Sequence, residues 1–175
     1  MDEYWDLFDE NRNYLGITHK RGDHVPAGMY HLVVHAWIMD KSGHFLISQR
    51  QKGRTDELLW ERTGGSVLVG ETSLEGALRE IKEELGLDLH AAPNAFIKSE
   101  KRERYHDFYD SWLFLVETMQ VHCKTNETEV RTWKWVTLEE LKQLKEENKL
   151  VKSSEYFEEV YSSYLKMMSK NEIID

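Results

Sequence analysis

The chain has one cysteine, Cys123, among 175 residues, so no internal disulfide can form. A lone thiol fits a reducing compartment. The chain also opens without a charged-then-apolar leader, and a cytoplasmic protein is therefore expected. No apolar run approaches membrane-spanning length, so no membrane partner is expected. Excess positive charge is missing too: 23 Lys and Arg stand against 32 Asp and Glu, a net charge of -9. That balance argues against nucleic acid or an anionic membrane as the main partner. An acidic protein that binds phosphates usually needs metal to do it. No repeat, low-complexity stretch or linker divides the sequence.

Apolar residues make up 40% of the chain and six are Trp, enough for one good core. A single domain over residues 1–175 is expected, with its core at about 28–145. Tyr4 to Asp9 alternates apolar and polar side chains, and Asp9 to Asn13 turns the chain toward Tyr14, which predicts a hairpin within residues 3–20. Strands are expected from about Tyr30 to Met39, Phe45 to Arg50, Asn94 to Arg104, Phe108 to Glu117 and Val130 to Val136. Thr137 caps a predicted helix that runs through Leu144. A last amphipathic helix over 154–168 gathers Tyr156, Phe157, Val160, Tyr164 and Met167 on one side. That stripe reads as packing, although its aromatics leave room for a homodimer.

The stretch from Gly65 to Glu71, followed after seven residues by Arg79 to Leu87, carries the chemistry. Thr72 or Ser73 can cap a helix, Glu75 lies near the capping-box position, and Gly86 can end the helix in a left-handed conformation. Leu74, Leu78, Ile81 and Leu85 recur at helical spacing and face a core. Glu80, Glu83 and Glu84 fall on the other side. Carboxylates that close raise each other's pKa unless a cation sits among them. Hard oxygen ligands of this kind suit Mg2+ or Mn2+.

The spacing G-x5-E-x7-R-E-(apolar)-x-E-E-x-G-(apolar) is that of the Nudix box. Seven fixed residues at about 7% usage each would coincide by chance on the order of once in 10^8 starting positions. The chain thus resembles a Nudix hydrolase. The resemblance implies an α/β/α sandwich around a mixed sheet, here with the N-terminal hairpin and C-terminal helix added. It also implies hydrolysis of a phosphoanhydride in a small diphosphate substrate. In the family pattern Glu71 and Arg79 brace the loop against the helix, Glu80, Glu83 and Glu84 hold metal, and the Gly65 carbonyl often joins them. The general base is either a box glutamate such as Glu83, or Glu127 or Glu129 from the loop before the late strand. Arg50, at a strand end, is a candidate phosphate contact because a guanidinium can grip phosphate with two donors.

Trp5 to Glu10, Arg21 to His31 and Asn126 to Trp135 also resemble the Nudix subgroup related to isopentenyl-diphosphate isomerase. That resemblance would place His24 and His31 among the metal-binding histidines. Its catalytic Cys and third His positions are taken by Gly64 and Ser66, and only Asp110 is acidic near its downstream glutamates. Without the Cys, proton transfer to carbon lacks its acid or base, so hydrolysis is the first expectation. A sensor that binds a nucleotide without cleaving it is a further reading, and sensors of that kind often lose box carboxylates. Trp37, Trp112 and Tyr105 can stack on a base or lie in the core.

Overall fold

The computed structural model describes residues 2–117 and 121–171. In chain order it has a hairpin of β1 (Tyr4–Phe8) and β2 (Tyr14–Lys20), then β3 (His31–Asp40), β4 (Phe45–Arg50), β5 (Trp60–Glu61) and β6 (Thr63–Ser66). Helix α1 (Ser73–Leu85), β7 (Asn94–Arg102), β8 (Asp107–Val116), β9 (Val130–Val136), α2 (Leu138–Glu146) and α3 (Phe157–Asn171) follow.

Strand β3 is apolar on both faces, as a strand covered on both sides must be. It pairs in parallel with β8 along its whole length, and every other pairing in the sheet is antiparallel. Alternation along β3 splits the core. Leu32, Val34, Ala36 and Ile38 face Ala77, Leu78, Ile81 and Leu85 of α1. Trp37 and Met39 face Leu141 and Leu144 of α2 and Phe157, Val160 and Tyr164 of α3. The result is the α/β/α sandwich with a mixed sheet.

Both caps of α1 form. Thr72 accepts a hydrogen bond from the Glu75 backbone N–H (3.2 Å), and the Glu75 carboxylate accepts one from the Thr72 N–H (2.8 Å). Such a cap is worth about 1 kcal/mol. Gly86 ends the helix at φ 71°, and a side chain there would meet the Lys124 carbonyl at 2.7 Å.

Gly65 lies in β6, opposite Val34 of β3. One expectation needs correction. The last helix begins at Phe157 and not at 154, because Lys152–Ser154 form a tight 3-10 turn that buries Ser154. The aromatic stripe of α3 packs on the sheet, with Phe157 and Tyr164 buried.

Candidate active site

The site opens where two neighbours of β3 diverge. β4 meets β3 only at Ile38 and Met39, while β6 takes the same edge at Val33–Ala36. Between them lies a cavity of about 150 Å³. It is lined by Arg50 of β4, Glu61 of β5, Gly64–Ser66 of β6, the α1 residues Arg79, Glu80, Glu83 and Glu84, and Glu129 just ahead of β9. Glu3 and Arg21, from the open end of the N-terminal hairpin, complete one wall and bond each other at 2.5 Å.

Arg79 is the hub of this pocket. Its Nε and Nη2 donate to the two Glu71 oxygens (2.7 and 3.2 Å), and Nη2 also reaches the Ser66 carbonyl (2.8 Å). Its Nη1 donates to Glu80 (3.0 Å) and Glu83 (2.9 Å). Glu71 in turn accepts from the Leu68 N–H at 2.9 Å, which ties the loop ahead of α1 to the helix. Glycine at 65 matters because an added Cβ would stand 2.2 Å from Glu80 Oε1. The Glu80 carboxylate thus lies directly on the β6 backbone.

Burial lifts the Glu80 carboxyl to about 7, with Glu83 and Glu129 adding to the rise and Arg79 opposing it. Burial also carries Glu84 well above the ordinary carboxylate range, helped by the charges of Glu61, Glu80 and Glu129 and opposed by Arg62. Among the described residues no three acidic, His or Cys side chains already stand gathered as a closed metal cage. In this arrangement Arg79 holds Glu80 and Glu83. The donor set nevertheless fits a hard divalent cation: carboxylate oxygens crowd one cavity, and burial and mutual repulsion disfavour their charges until a cation arrives.

The other candidates fall as follows. Glu129 lines the cavity and pairs with Arg54 at 3.2 Å. Glu127 is exposed and absent from the lining, and its carbonyl accepts from Gln51 Nε2 at 2.9 Å. Arg50 lines the cavity with Nη1 on Glu61 (2.7 Å) and Nε on the Thr55 carbonyl (2.6 Å). His31 is buried and stacks on Trp5 with ring centres 3.9 Å apart. At Gly64 a Cβ would stand 2.2 Å from the Val34 carbonyl, so the place where the isomerase resemblance would put a thiol has no room for one. Trp37 is core, Trp112 donates to Ser73 Oγ at 2.7 Å, and Tyr105 is exposed. Sequence reasoning missed Glu61 and Arg62. They come from the short segment ahead of the box, and no spacing signal marks them.

A family model described as "NUDIX domain" matches residues 29–157. An uncharacterized Nudix hydrolase of Listeria monocytogenes is 34% identical over 152 residues, covering 85% of this chain and 88% of the relative. An isopentenyl-diphosphate Delta-isomerase of Cutibacterium acnes is 30% identical over 90 residues, 50% of this chain and 45% of that one. Among solved structures, a Deinococcus radiodurans protein superposes with a TM-score of 0.66 at 22% identity, covering 81% of this chain and 88% of that chain.

Proposed function

The chain belongs to the Nudix hydrolases, and from that premise we propose that it cleaves a phosphoanhydride bond in a small diphosphate compound with the help of Mg2+ or Mn2+. The carrying observation is the crowding of Glu80, Glu83 and Glu84 with Glu61 and Glu129 around one cavity braced by Arg79. The chain acts as one domain, in the cytoplasm, with no nucleic-acid or membrane partner.

Glu80, Glu83 and Glu84 would hold the cation together with the Gly65 carbonyl. When bound, such a cation neutralises phosphate oxygens and makes water acidic enough to attack at neutral pH. The chain's own residues do the remaining work. Glu71 and Arg79 keep the α1 carboxylates in position. Glu129, which faces them across the cavity, or the more exposed Glu83 takes the proton from the attacking water. Arg50 offers its remaining donors to a phosphate oxygen while holding Glu61. Glu127 stands outside the cavity lining and is the weaker candidate for the base. The isomerase reading loses ground at Gly64, and all box carboxylates that a sensor would tend to lose are present.

A panel of nucleoside di- and triphosphates, sugar nucleotides and dinucleotides, assayed with Mg2+ for phosphate or nucleotide release, tests this reading. Turnover that needs metal and falls sharply in Glu83→Gln is expected. No metal-dependent turnover on any member, or turnover unchanged in Glu83→Gln, would sink it.

A further inference from the structure

A second cavity, of about 350 Å³, lies on the α3 side of the sheet. That size falls within the roughly 300–1,000 Å³ of small-molecule sites. His35, Tyr109 and Tyr156 form its floor. The Tyr156 hydroxyl bonds His35 Nδ1 (3.0 Å) and Ser111 Oγ (2.8 Å), and His35 stacks on Tyr109 with ring centres 4.5 Å apart. The rim is cationic, with Lys98, Arg102 and Lys152 against one lining carboxylate, Glu155. Lys98 is engaged by Glu100 and Glu159 and lies 4.3 Å from the Tyr156 ring centre, and Arg102 is held by both oxygens of Asp107. Lys152 forms no salt bridge among the described residues, and Glu155 faces Lys145 at 3.7 Å.

This cavity adjoins the acidic one. His35, in the second lining, sits directly opposite Gly64, in the first, across the β3–β6 pair. Directly opposed residues of an antiparallel pair stand about 4.5–5.5 Å apart. Arg62 joins them: Nη1 lies 3.5 Å from Glu61 of the acidic cavity, and Nη2 donates to Ser153 of the second at 3.3 Å. Arg62 is only 6% exposed, and its Nε has no hydrogen-bond partner among the described residues. With Glu61 as its one ion-paired carboxylate among the described residues and Nε unused, this buried guanidinium keeps donor capacity for a further anion.

We propose that one substrate spans both cavities: its diphosphate lies at the acidic pocket, the chain of atoms passes Arg62, and the second cavity takes a remote group with its own negative charge, a phosphate or carboxylate. This rests on the hydrolase reading above and narrows its substrate to diphosphates that carry an anionic group away from the scissile link. Lys152 is the specificity-determining contact, because its charge is not already spent on a carboxylate. Aromatic floor and cationic rim together suit an anion attached to a flat or ring-shaped carrier.

The test uses the full chain with Mg2+ and matched pairs that differ only in a remote phosphate: NADPH with NADH, and coenzyme A with its 3′-dephospho form. In at least one pair the phosphorylated member should show a KM lower by about tenfold, the order of one charge-assisted hydrogen bond, with kcat within about twofold. Lys152→Ala, an exposed change that leaves the fold intact, should erase the difference, and Lys152→Arg should restore it. Equal KM values across both pairs, or a difference untouched by Lys152→Ala, would overturn the proposal while leaving the hydrolase reading standing. If no member of these two pairs is cleaved, the hydrolase reading is judged on the wider diphosphate panel, and calorimetric binding of the same pairs decides the second cavity. Tighter binding of the phosphorylated members that Lys152→Ala abolishes would support it, and equal binding would overturn it. Free inorganic phosphate that binds at Lys152 without any discrimination between pair members would mark a separate anion site and also overturn it.

Discussion

The two cavities on either side of β6 are built in opposite ways. The acidic one draws three of its six carboxylates from one helix, holds two of those with a single arginine, and leaves their charges poorly compensated. The second gathers its residues from β3, β7, β8 and the turn before α3, and most of its charges are already paired. A site strained by like charges is suited to recruit a cation and do chemistry. A satisfied aromatic and cationic site is suited to recognise.

The largest expected effect comes from removing the close approach at Gly65. Gly65→Ala would drive its Cβ into Glu80 and displace that carboxylate from the β6 backbone. Turnover should fall by about 10^2–10^3, the range for losing one well-placed charged group, while circular dichroism stays native. An active Gly65→Ala enzyme would erase the distinction between a chemical and a recognising cavity.

Arg79→Ala should cost about 3 kcal/mol of stability in urea unfolding, because it leaves the partly buried Glu71 and Glu80 without their cation. Arg79→Lys should recover little of this, since an ammonium cannot reach Glu71, Glu80, Glu83 and the Ser66 carbonyl together. Recovery by lysine would mean that charge alone, and not the fork of the guanidinium, holds the pocket.

The pH dependence of the metal-free protein sharpens the comparison further. Burial raises the Glu80 carboxyl to about 7, above its unfolded value of roughly 4.3. A raised pKa gives stability that is complete below the unfolded value and is lost as pH climbs through the folded one. In EDTA the melting temperature should therefore drop between about pH 4.5 and 7, by an amount equivalent to about 2–3 kcal/mol. Glu80→Gln should flatten that slope, and Mg2+ should raise the melting temperature most at the upper end. A slope that is the same in Glu80→Gln would show that the crowding lies elsewhere.

The smallest effect belongs to the second cavity. Tyr156→Phe removes the hydroxyl shared by His35 and Ser111 and should cost about 1 kcal/mol of stability, with kcat unchanged. A large loss of kcat would place Tyr156 in the chemistry and break the division between the two sides.

The same contrast explains what the sequence revealed. Helix α1, its Thr72–Glu75 capping box, its Gly86 terminus and its apolar stripe follow from residues close together in the chain, where spacing alone carries the information. The strand expected from about Tyr30 to Met39 is likewise present as β3. Glu61 and Arg62 were not legible, because their place depends on how β4 and β6 diverge from β3, a tertiary event with no local code. The second cavity was hidden for the same reason: Lys98, Tyr109, Lys152 and Tyr156 become neighbours only once the sheet and the turn before α3 are assembled. The start of α3 was misplaced because the apolar stripe begins at Tyr156, yet Ser154 is buried in a tight turn with its Oγ 3.4 Å from the Arg62 backbone N–H.

Hydrolysis in 18O-labelled water tests the central claim most directly. With Mg2+ and a cleaved member of the diphosphate panel, mass spectrometry should find one 18O atom on one phosphate product. The label should be absent with EDTA and strongly reduced in Glu83→Gln. Unlabelled products, or labelling indifferent to Glu83 and to metal, would contradict the assignment of the acidic cavity as a hydrolytic site.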